Sequence, residues 1–288
     1  MHDFEYEAPD SLNAAVALLA KNPDAKPLAG GTDLIDHVRT ARLSPNLLVD
    51  IKKIPELNRL EMSDAGLAIG AAVPCYRIYG HADITARYSA LTDSCHIIGG
   101  IQIQSRASIG GNLCNSGPAA DTTPSMMALD AVCVIAGPDG QREVPVAEFC
   151  TAPGKNVLTT GEILVEVRFP PRPQHSGSSY LRFIPRNEMD IAVVGVGVSI
   201  ELSDDLSTFT SARIALGAVG PAPINATAAA ATLAGQPVNE DSISKAVDAA
   251  RAAAQPITDM RGTVEFRKHV TGVLTQRTLH VAIERARA

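Results

Sequence analysis

The sequence predicts an α+β protein built from more than one structural unit. Three observations support this class. Strand-like apolar runs and helical stripes are mixed through the first part of the chain, whereas the last part has three strand-like runs followed only by helical segments. A Pro-rich stretch at 170–178 separates the two parts. The length of 288 residues is typical of two domains or one large one.

The amino-terminal segment has the pattern of a small βαβ-like unit. A helix is predicted at 12–19, because apolar residues recur there at helical spacing after an N-cap serine. Short strands are predicted at 27–29 and 46–51, with a helix between them that begins at Thr32 or Asp33.

The middle of the chain mixes strands and helices. Helical segments are expected from Pro74 to about Ile98, and a short helix at 125–130. Strands are predicted at 67–73, 132–136, 144–146 and 163–169.

The remainder predicts a separate sheet-and-helix domain after the Pro-rich linker. Its elements are strands at 179–184, 191–202 and 212–218, then helices at 225–234, 242–253 and from about Thr263 onward. We therefore expect units at 1–55 and 56–175 and a carboxy-terminal domain at 178–288 with a three-stranded sheet plus helices.

Composition excludes several functional classes. Hydrophobic residues make up 45% of the chain and charged residues 19%, which is incompatible with global disorder. The net charge of −6 and the absence of Trp disfavour a nucleic-acid-binding protein. The acidic start of the chain does not resemble a secretory signal and no apolar run is long enough for a membrane span, so we expect a cytoplasmic protein.

Metal binding by this chain is also disfavoured. The five cysteines lie 17 or more residues apart, so no Cys-x-x-Cys pair exists for an iron–sulfur or zinc site. Their odd number and wide spacing argue against a disulfide scaffold, and the seven histidines form no cluster with metal-ligand spacing.

Two glycine-rich segments are the candidate functional motifs, Ala29-Gly30-Gly31-Thr32-Asp33 and Ser108-Ile109-Gly110-Gly111-Asn112. Paired glycines beside hydroxyl and amide side chains let backbone N–H groups approach an anion. Either segment alone is more often a plain turn, and neither matches the dinucleotide or P-loop pattern. In the loop that follows, Asp121 could accept hydrogen bonds from ribose hydroxyls, or it could cap the next helix.

Together, residues 27–34 (Pro-Leu-Ala-Gly-Gly-Thr-Asp-Leu) and 108–121 (Ser-Ile-Gly-Gly-Asn-Leu-Cys-Asn-Ser-Gly-Pro-Ala-Ala-Asp) resemble the FAD-binding medium subunit of molybdenum hydroxylases, the xanthine dehydrogenase and carbon monoxide dehydrogenase family. The resemblance extends over the whole chain. It implies a vanillyl-alcohol-oxidase-like (PCMH-type) FAD-binding domain of two subdomains, followed by a small α+β domain.

The resemblance also implies a set of cofactor-binding residues. The FAD pyrophosphate would lie across the two glycine segments, Asp121 would hold the ribityl or ribose region, and Arg182 matches a position near the flavin pyrimidine edge that is often Lys. The full set is Leu28, Ala29, Gly30, Gly31, Thr32, Asp33, Leu34, Ile98, Ser108, Ile109, Gly110, Gly111, Asn112, Asp121, Leu164, Arg182 and Ile191.

Departures from relatives refine this expectation. The carbon monoxide enzymes typically have Gly-Gly-His-Ser in the first motif and Tyr at the position of Ile191, so the chain is more similar to the xanthine and N-heterocycle branch. We expect aliphatic residues, Ile98 and Ile191, to flank the flavin ring and leave it open to an external acceptor.

In such a complex, the chain would carry non-covalent FAD and pass electrons from partner iron–sulfur clusters to an acceptor such as NAD. Molybdopterin would lie on a large partner subunit and the iron–sulfur clusters on a small one, in a dimer of heterotrimers, with no substrate-converting residue on this chain. Two alternatives stay open: a stand-alone FAD oxidoreductase, and a non-catalytic protein that binds a phosphorylated metabolite.

Overall fold

The computed structural model describes residues 3–288. The amino-terminal unit is a three-stranded sheet in the order β1-β3-β2, with β3 parallel to both neighbours. Its elements are β1 (Glu5–Glu7), α1 (Leu12–Lys21), β2 (Lys26–Leu28), α2 (Leu34–Arg39) and β3 (Leu47–Asp50). The parallel β2-α2-β3 connection confirms the predicted βαβ-like unit.

Helix α1 joins this unit to the rest of the protein. Its predicted apolar stripe is buried, with Ala15 fully enclosed. The same hydrophobic cluster contains Val49 of β3 and Ile163 from the neighbouring sheet. The first two sheets therefore share one core.

The middle unit is an antiparallel five-stranded sheet in the order β4-β5-β10-β6-β7. Its strands are β4 (Leu60–Ser63), β5 (Gly66–Gly70), β6 (Val132–Gly137), β7 (Gly140–Pro145) and β10 (Ile163–Phe169), and a separate hairpin is formed by β8 (Cys150–Ala152) and β9 (Lys155–Asn156). The central strand β10 has the predicted bounds. Strand β4 and the hairpin were not predicted, because their short runs carry little apolar periodicity.

A layer of short helices packs on this sheet. These are α3 (Cys75–Tyr79), α4 (Ala82–Arg87), α5 (Ser89–Cys95), α6 (Ile101–Gln104), α7 (Ile109–Asn115), α8 (Thr122–Ala128) and α9 (Val146–Phe149). Helix α7 contains most of the second glycine segment, for which the sequence predicted no helix. The Ser108 Oγ accepts a hydrogen bond from Gly111 N at 3.0 Å and so caps this helix.

The carboxy-terminal unit has a four-stranded antiparallel sheet, not the predicted three-stranded one. Its elements are β11 (Ser176–Phe183), β12 (Val194–Leu202), β13 (Phe209–Gly217), β14 (Ile224–Asn225), α10 (Thr227–Ala231), α11 (Glu240–Ala253) and α12 (Val264–Arg287). The additional strand has only two residues, which is too short for a sequence pattern. The predicted linker is also shorter than expected, because β11 begins at Ser176, which pairs with Glu201.

One ion pair holds the last helix to the middle unit. Arg285 donates from Nη1 and Nη2 to the two carboxylate oxygens of Asp93 at 2.6 and 2.9 Å. The same Asp93 accepts from Tyr180 N at 3.0 Å. This bidentate clamp ties α12, β11 and α5 together.

Among residues 3–288, no helix combines the length and the apolar character that crossing a bilayer requires. All five cysteines are free thiols.

Candidate functional site

A cavity of about 820 Å³ lies where the three-stranded sheet, helix α7 and the β8–β9 hairpin meet. The two predicted glycine segments lie on its wall, although they are more than seventy residues apart in sequence. Its size falls within the range of ligand and cofactor pockets, about 300–1,000 Å³.

The first segment presents unpaired backbone donors to this cavity. In the described part of the chain, the N–H groups of Gly30, Gly31, Thr32 and Asp33 donate to no backbone or side-chain acceptor. Gly31 has a φ of +76°, the left-handed region in which glycine is strongly favoured. A run of free N–H groups on a concave wall is suited to binding an anion.

Arg106 attaches this first segment to the second. Its Nε donates to the carbonyl oxygen of Gly30 at 2.8 Å. A Cβ at Gly30 would lie 1.9 Å from the Arg106 carbonyl oxygen, so the two backbones can pack this closely only with glycine there. The packing of these two backbone segments therefore requires Gly30, independently of any ligand.

The paired glycines of the second segment have different surroundings. A Cβ at Gly110 would lie 2.5 Å from the Ala71 carbonyl oxygen, whereas at Gly111 it would meet only the Ser108 Oγ, at 3.2 Å. Gly110 lets α7 pack against the end of β5, and Gly111 is an exposed residue of the cavity wall. The sequence predicts that both glycines clear space for a ligand. In the structure, Gly110 clears space for Ala71, and Gly111 is the one that leaves the cavity wall open.

Asn112 connects α7 to the next helix. Its Oδ1 accepts from Thr122 Oγ1 at 2.6 Å and from Thr122 N at 3.2 Å. This pair fixes the start of α8 relative to the cavity.

The structure brings together twelve of the seventeen predicted site residues. Those on the cavity wall are Ala29, Gly30, Gly31, Thr32, Asp33, Leu34, Ile98, Ser108, Gly110, Gly111, Asn112 and Leu164. Leu28 is buried in β2, and Ile109 is the fully buried first residue of α7, so neither is part of the cavity surface. Asp121, Arg182 and Ile191 lie outside it.

Asp121 and Arg182 form a buried pair between the middle and carboxy-terminal units. Arg182 Nη1 donates to Asp121 Oδ2 at 2.6 Å, and the Tyr180 hydroxyl donates to Oδ1 at 2.9 Å. Burial raises the pKa of Asp121 to about 6, although Arg182 and Tyr180 act in the opposite direction. Both oxygens of Asp121 are thus engaged within the protein.

Arg182 also reaches the loop that carries Ile98. Its Nη2 donates to the Ile97 carbonyl oxygen at 2.8 Å, and only 7% of its side chain is exposed. In this conformation Arg182 holds the backbone next to a cavity-wall residue in place.

Ile191 lies in the loop before β12, where 51% of it is exposed. The prediction that β12 begins at 191 was wrong, because the strand begins at Val194. Asp190 shapes this loop by pairing with Arg186 at 3.2 Å and accepting from Ile191 N at 2.9 Å.

Sequence reasoning missed the cations of the cavity wall. Lys26, Arg42 and Lys155 line it, and among residues 3–288 none of them forms an ion pair. Glu162 also lines it, but Arg142 binds its carboxylate at 2.6 Å and holds its pKa near 2. The three cations therefore outnumber Asp33, the other acidic side chain of the wall, and leave an excess of positive charge there. Lys26 next to the first glycine segment, and Arg106 just before the second, were the signals available in the sequence.

Within the described residues, no group of three or more His, Cys, Asp and Glu side chains is placed to hold a metal ion. Free N–H groups, nearby cations and apolar residues such as Ile98 and Leu164 instead favour an extended ligand with an anionic part and an apolar part.

Comparison with known proteins gives a consistent result over the whole chain. Residues 2–172 match the family described as "FAD binding domain in molybdopterin dehydrogenase", and residues 179–282 match the "CO dehydrogenase flavoprotein C-terminal domain". A putative xanthine dehydrogenase FAD-binding subunit of Escherichia coli (strain K12) is 33% identical, covering 99% of this chain and 98% of that protein. The carbon monoxide dehydrogenase medium chain of Hydrogenophaga pseudoflava is 31% identical, covering 97% and 96%.

Solved structures agree. Carbon monoxide dehydrogenase from Hydrogenophaga pseudoflava lacking the Mo-pyranopterin moiety has a TM-score of 0.94 at 32% identity, covering 99% of this chain and 98% of that one. Quinoline 2-oxidoreductase from Pseudomonas putida 86 has a TM-score of 0.91 at 27% identity, covering 100% and 99%. The α+β fold expected from the resemblance is confirmed, and the chain belongs to the family of FAD-binding flavoprotein subunits of molybdenum hydroxylases.

Proposed function

We propose that this chain holds one non-covalent FAD in the cavity and passes electrons from iron–sulfur clusters on a partner subunit to an external acceptor such as NAD. The molybdopterin would be carried by a large partner subunit and the clusters by a small one, assembled as a dimer of heterotrimers. Carbon monoxide dehydrogenase medium chains, by their name, belong to enzymes with further chains.

The observation that carries this proposal is the row of four free N–H groups on a cavity wall with three unpaired cations. A pyrophosphate supplies several acceptor oxygens and negative charge, so it satisfies both features. The free N–H groups and the nearby cations support the placement of the phosphate part of FAD at this wall.

The residues have distinct tasks in this arrangement. The backbone N–H groups of residues 30–33 would donate hydrogen bonds to the pyrophosphate. Lys155 and Arg42 would neutralise its charge. Ile98 and Leu164 would contact the isoalloxazine, and Asp121 with Arg182 would hold the adjoining backbone. The bound FAD supplies exchange between one-electron and two-electron carriers, which no side chain of this protein can perform.

The proposal is tested by purifying the full chain and precipitating it with acid. We expect a yellow supernatant that contains FAD. Colour retained in the pellet would show covalent attachment, and a colourless protein that cannot be loaded with FAD would refute the assignment of the cavity.

Co-purification tests the partner part of the proposal. Native isolation is expected to recover an iron–sulfur subunit and a larger molybdopterin subunit with this chain. A chain that elutes alone and turns over a substrate alone would instead support the stand-alone oxidoreductase. A colourless chain that binds a phosphorylated metabolite would support the non-catalytic alternative.

A further inference from the structure

Four large hydrophobic side chains are exposed close together on the carboxy-terminal unit. Phe183 and Phe266 form an edge-to-face pair with ring centroids 5.7 Å apart, and 37% and 39% of these residues are exposed. Ile257 and Met260, in the segment before α12, are 71% and 93% exposed. Together the four residues form the carboxy-terminal patch. None of them lines the large cavity, so the patch is separate from the flavin pocket.

The turn that carries Met260 is fixed against the aromatic pair. Asp259 and Gly262 exchange backbone hydrogen bonds at 3.1 and 3.2 Å, which closes the turn with Met260 at its tip. A Cβ at Gly262 would lie 2.9 Å from Cδ1 of Phe266, so the base of the turn packs directly on this ring.

The rest of the segment is tied to the start of α12. Thr258, which follows Ile257, accepts at its Oγ1 from Val264 N at 3.2 Å. Arg267 Nη2 donates to Asp259 Oδ1 at 2.6 Å. The exposed apolar side chains therefore stand on a preorganised backbone, and a partner that binds them does not have to order it.

The patch adjoins the flavin end of the large cavity. Phe183 directly follows Arg182, whose Nη2 donates to the Ile97 carbonyl oxygen at 2.8 Å. The next residue, Ile98, lines the cavity wall. A protein seated on the patch would therefore lie beside the residues that hold this end of the cavity.

The size of the patch indicates a protein partner. The four residues expose on the order of 500 Å², and the largest apolar patch on a typical monomer, about 300–600 Å², is often functional. A standard interface buries about 800 Å² on each partner, with an apolar centre and a polar rim. The carboxy-terminal patch has the size of such a centre.

The charges around the patch have the opposite sign to the chain as a whole. Arg261 and Lys268 flank it, and among residues 3–288 neither forms an ion pair. Glu265 is the one nearby carboxylate in the first turn of α12, and Asp259 is already bound by Arg267. The rim is therefore positive overall, whereas the chain carries a net charge of −6.

We propose that the carboxy-terminal patch is the docking surface for the iron–sulfur subunit; this inference rests on the function proposed above. Clusters ligated by four thiolates carry net negative charge, which complements the positive rim. Because electron transfer weakens steeply with distance, the subunit that reduces the flavin has to sit close to its ring. A second copy of this chain fits less well, because a symmetric dimer would place two positive rims against each other.

The test co-expresses the full chain with both partner subunits and isolates the complex through a tag on this chain. The readouts are FAD per chain, iron per FAD, and the iron–sulfur subunit retained on dilution. Met260→Glu places a charge in the apolar centre, so we expect at least tenfold weaker binding of this subunit. Ile257→Glu should act in the same direction. FAD content and the Tm of the isolated chain should stay unchanged, because both side chains are mostly exposed.

Two further variants locate the effect. Tyr76→Glu is the matched control, since Tyr76 is a 48% exposed aromatic residue of α3 outside the patch, and it should retain the iron–sulfur subunit fully. Arg261→Glu reverses a rim charge, so association should slow about tenfold at low salt and by less at high salt.

Full retention of the iron–sulfur subunit in both Met260→Glu and Ile257→Glu would overturn the proposal, as would an equal loss in Tyr76→Glu. Loss of the molybdopterin subunit alone would assign the patch to that subunit instead. Self-association of the isolated chain that Met260→Glu abolishes would assign it to a second copy. A wild-type complex without FAD or without iron would refute the proposed function itself, which separates the two failures.

Discussion

Gly110 and Gly111 are adjacent in sequence, yet the structure predicts opposite consequences for replacing each with alanine. At Gly110 the new Cβ would lie 2.5 Å from the Ala71 carbonyl oxygen and 2.6 Å from its Cβ. Ordinary carbon contacts lie at about 3.5–4.0 Å, so the overlap approaches one ångström. Because the obstacle includes backbone, a rotamer change cannot relieve it.

Overpacking of this kind costs about 1–3 kcal/mol. For a chain of this size we expect the Tm of Gly110→Ala to fall by roughly 3–10 °C. Gly111→Ala meets only the Ser108 Oγ, at 3.2 Å, and gains up to about 1 kcal/mol of helix propensity. The fold of Gly111→Ala is therefore expected to be as stable as that of the wild type.

Among variants that fold, FAD affinity should fall more in Gly111→Ala than in Gly110→Ala. The Gly111→Ala methyl group projects from the cavity wall, where it would separate the backbone from the pyrophosphate. We expect at least a tenfold loss of FAD affinity, about 1.4 kcal/mol. The assays are thermal unfolding of the flavin-free chain and FAD titration by flavin fluorescence.

Gly117→Ala is the matched control, because a Cβ there meets nothing within 4 Å and Gly117 does not line the cavity. Gly111→Ala with FAD affinity within about twofold of the wild type would refute the assignment of this wall to the pyrophosphate. Wild-type stability in Gly110→Ala would refute the packing argument.

Three further variants test other contacts. Arg106→Met loses the donor to Gly30 O, so the FAD Kd should rise about five- to tenfold in a fluorescence titration; an unchanged Kd would contradict the role of this contact. Asp121 has a raised pKa of about 6 in the folded state, so its contribution to stability is full below about pH 4 and is lost as the pH rises through 6. In urea unfolding, the wild type should therefore gain up to about 3 kcal/mol over Asp121→Asn between pH 7 and pH 4, and a flat difference would exclude this titration. Ile191→Tyr in the assembled complex should slow electron transfer to the acceptor, measured by stopped-flow, while reduction of the flavin persists; unchanged acceptor kinetics would show that the acceptor docks elsewhere.

Elements with strong periodicity could be predicted from the sequence. The helix near residue 12 buries its predicted stripe, and β10 has the predicted bounds. The last helix buries Val270 and Leu274 of its predicted stripe, whereas Phe266 of the same stripe is 39% exposed. In these elements, the hydrophobic pattern and the tertiary packing require the same structure.

Helix α7 could not be predicted because its residues are poor helix formers. Two adjacent glycines and Asn112 oppose helix formation, whereas the Ser108 cap and the fully buried Ile109 and Leu113 stabilise it. The burial of Ile109 and Leu113 becomes apparent only in the folded structure.

The start of β11 could not be predicted either, because its first residues do not have the apolar pattern of a strand. The run from Ser176 to Ser179 has no apolar side chain, yet it pairs along β12. A Cβ at Gly177 would lie 1.9 Å from the Ala282 carbonyl oxygen, so α12 crosses directly over this strand. The small residues that resemble a linker are therefore packing residues.

Within the candidate site, the motif residues were predictable and the charges around them were not. The glycine segments were recognisable because their pattern is local. Lys155 and Arg42 come from a hairpin and a loop that the sequence does not connect to the motifs. Their convergence depends on the order of strands in the folded sheets.

The clamp between Asp93 and Arg285 has a consequence for the order of events during synthesis. The two residues are separated by 192 positions, so the ribosome makes the whole flavin-binding region well before Arg285 exists. Until helix α12 emerges, both carboxylate oxygens of Asp93 lack the guanidinium, and α12 cannot cover Gly177. The nascent chain therefore passes through a stage in which the flavin-binding half has been synthesised but lacks the clamp that ties α5 and β11 to α12.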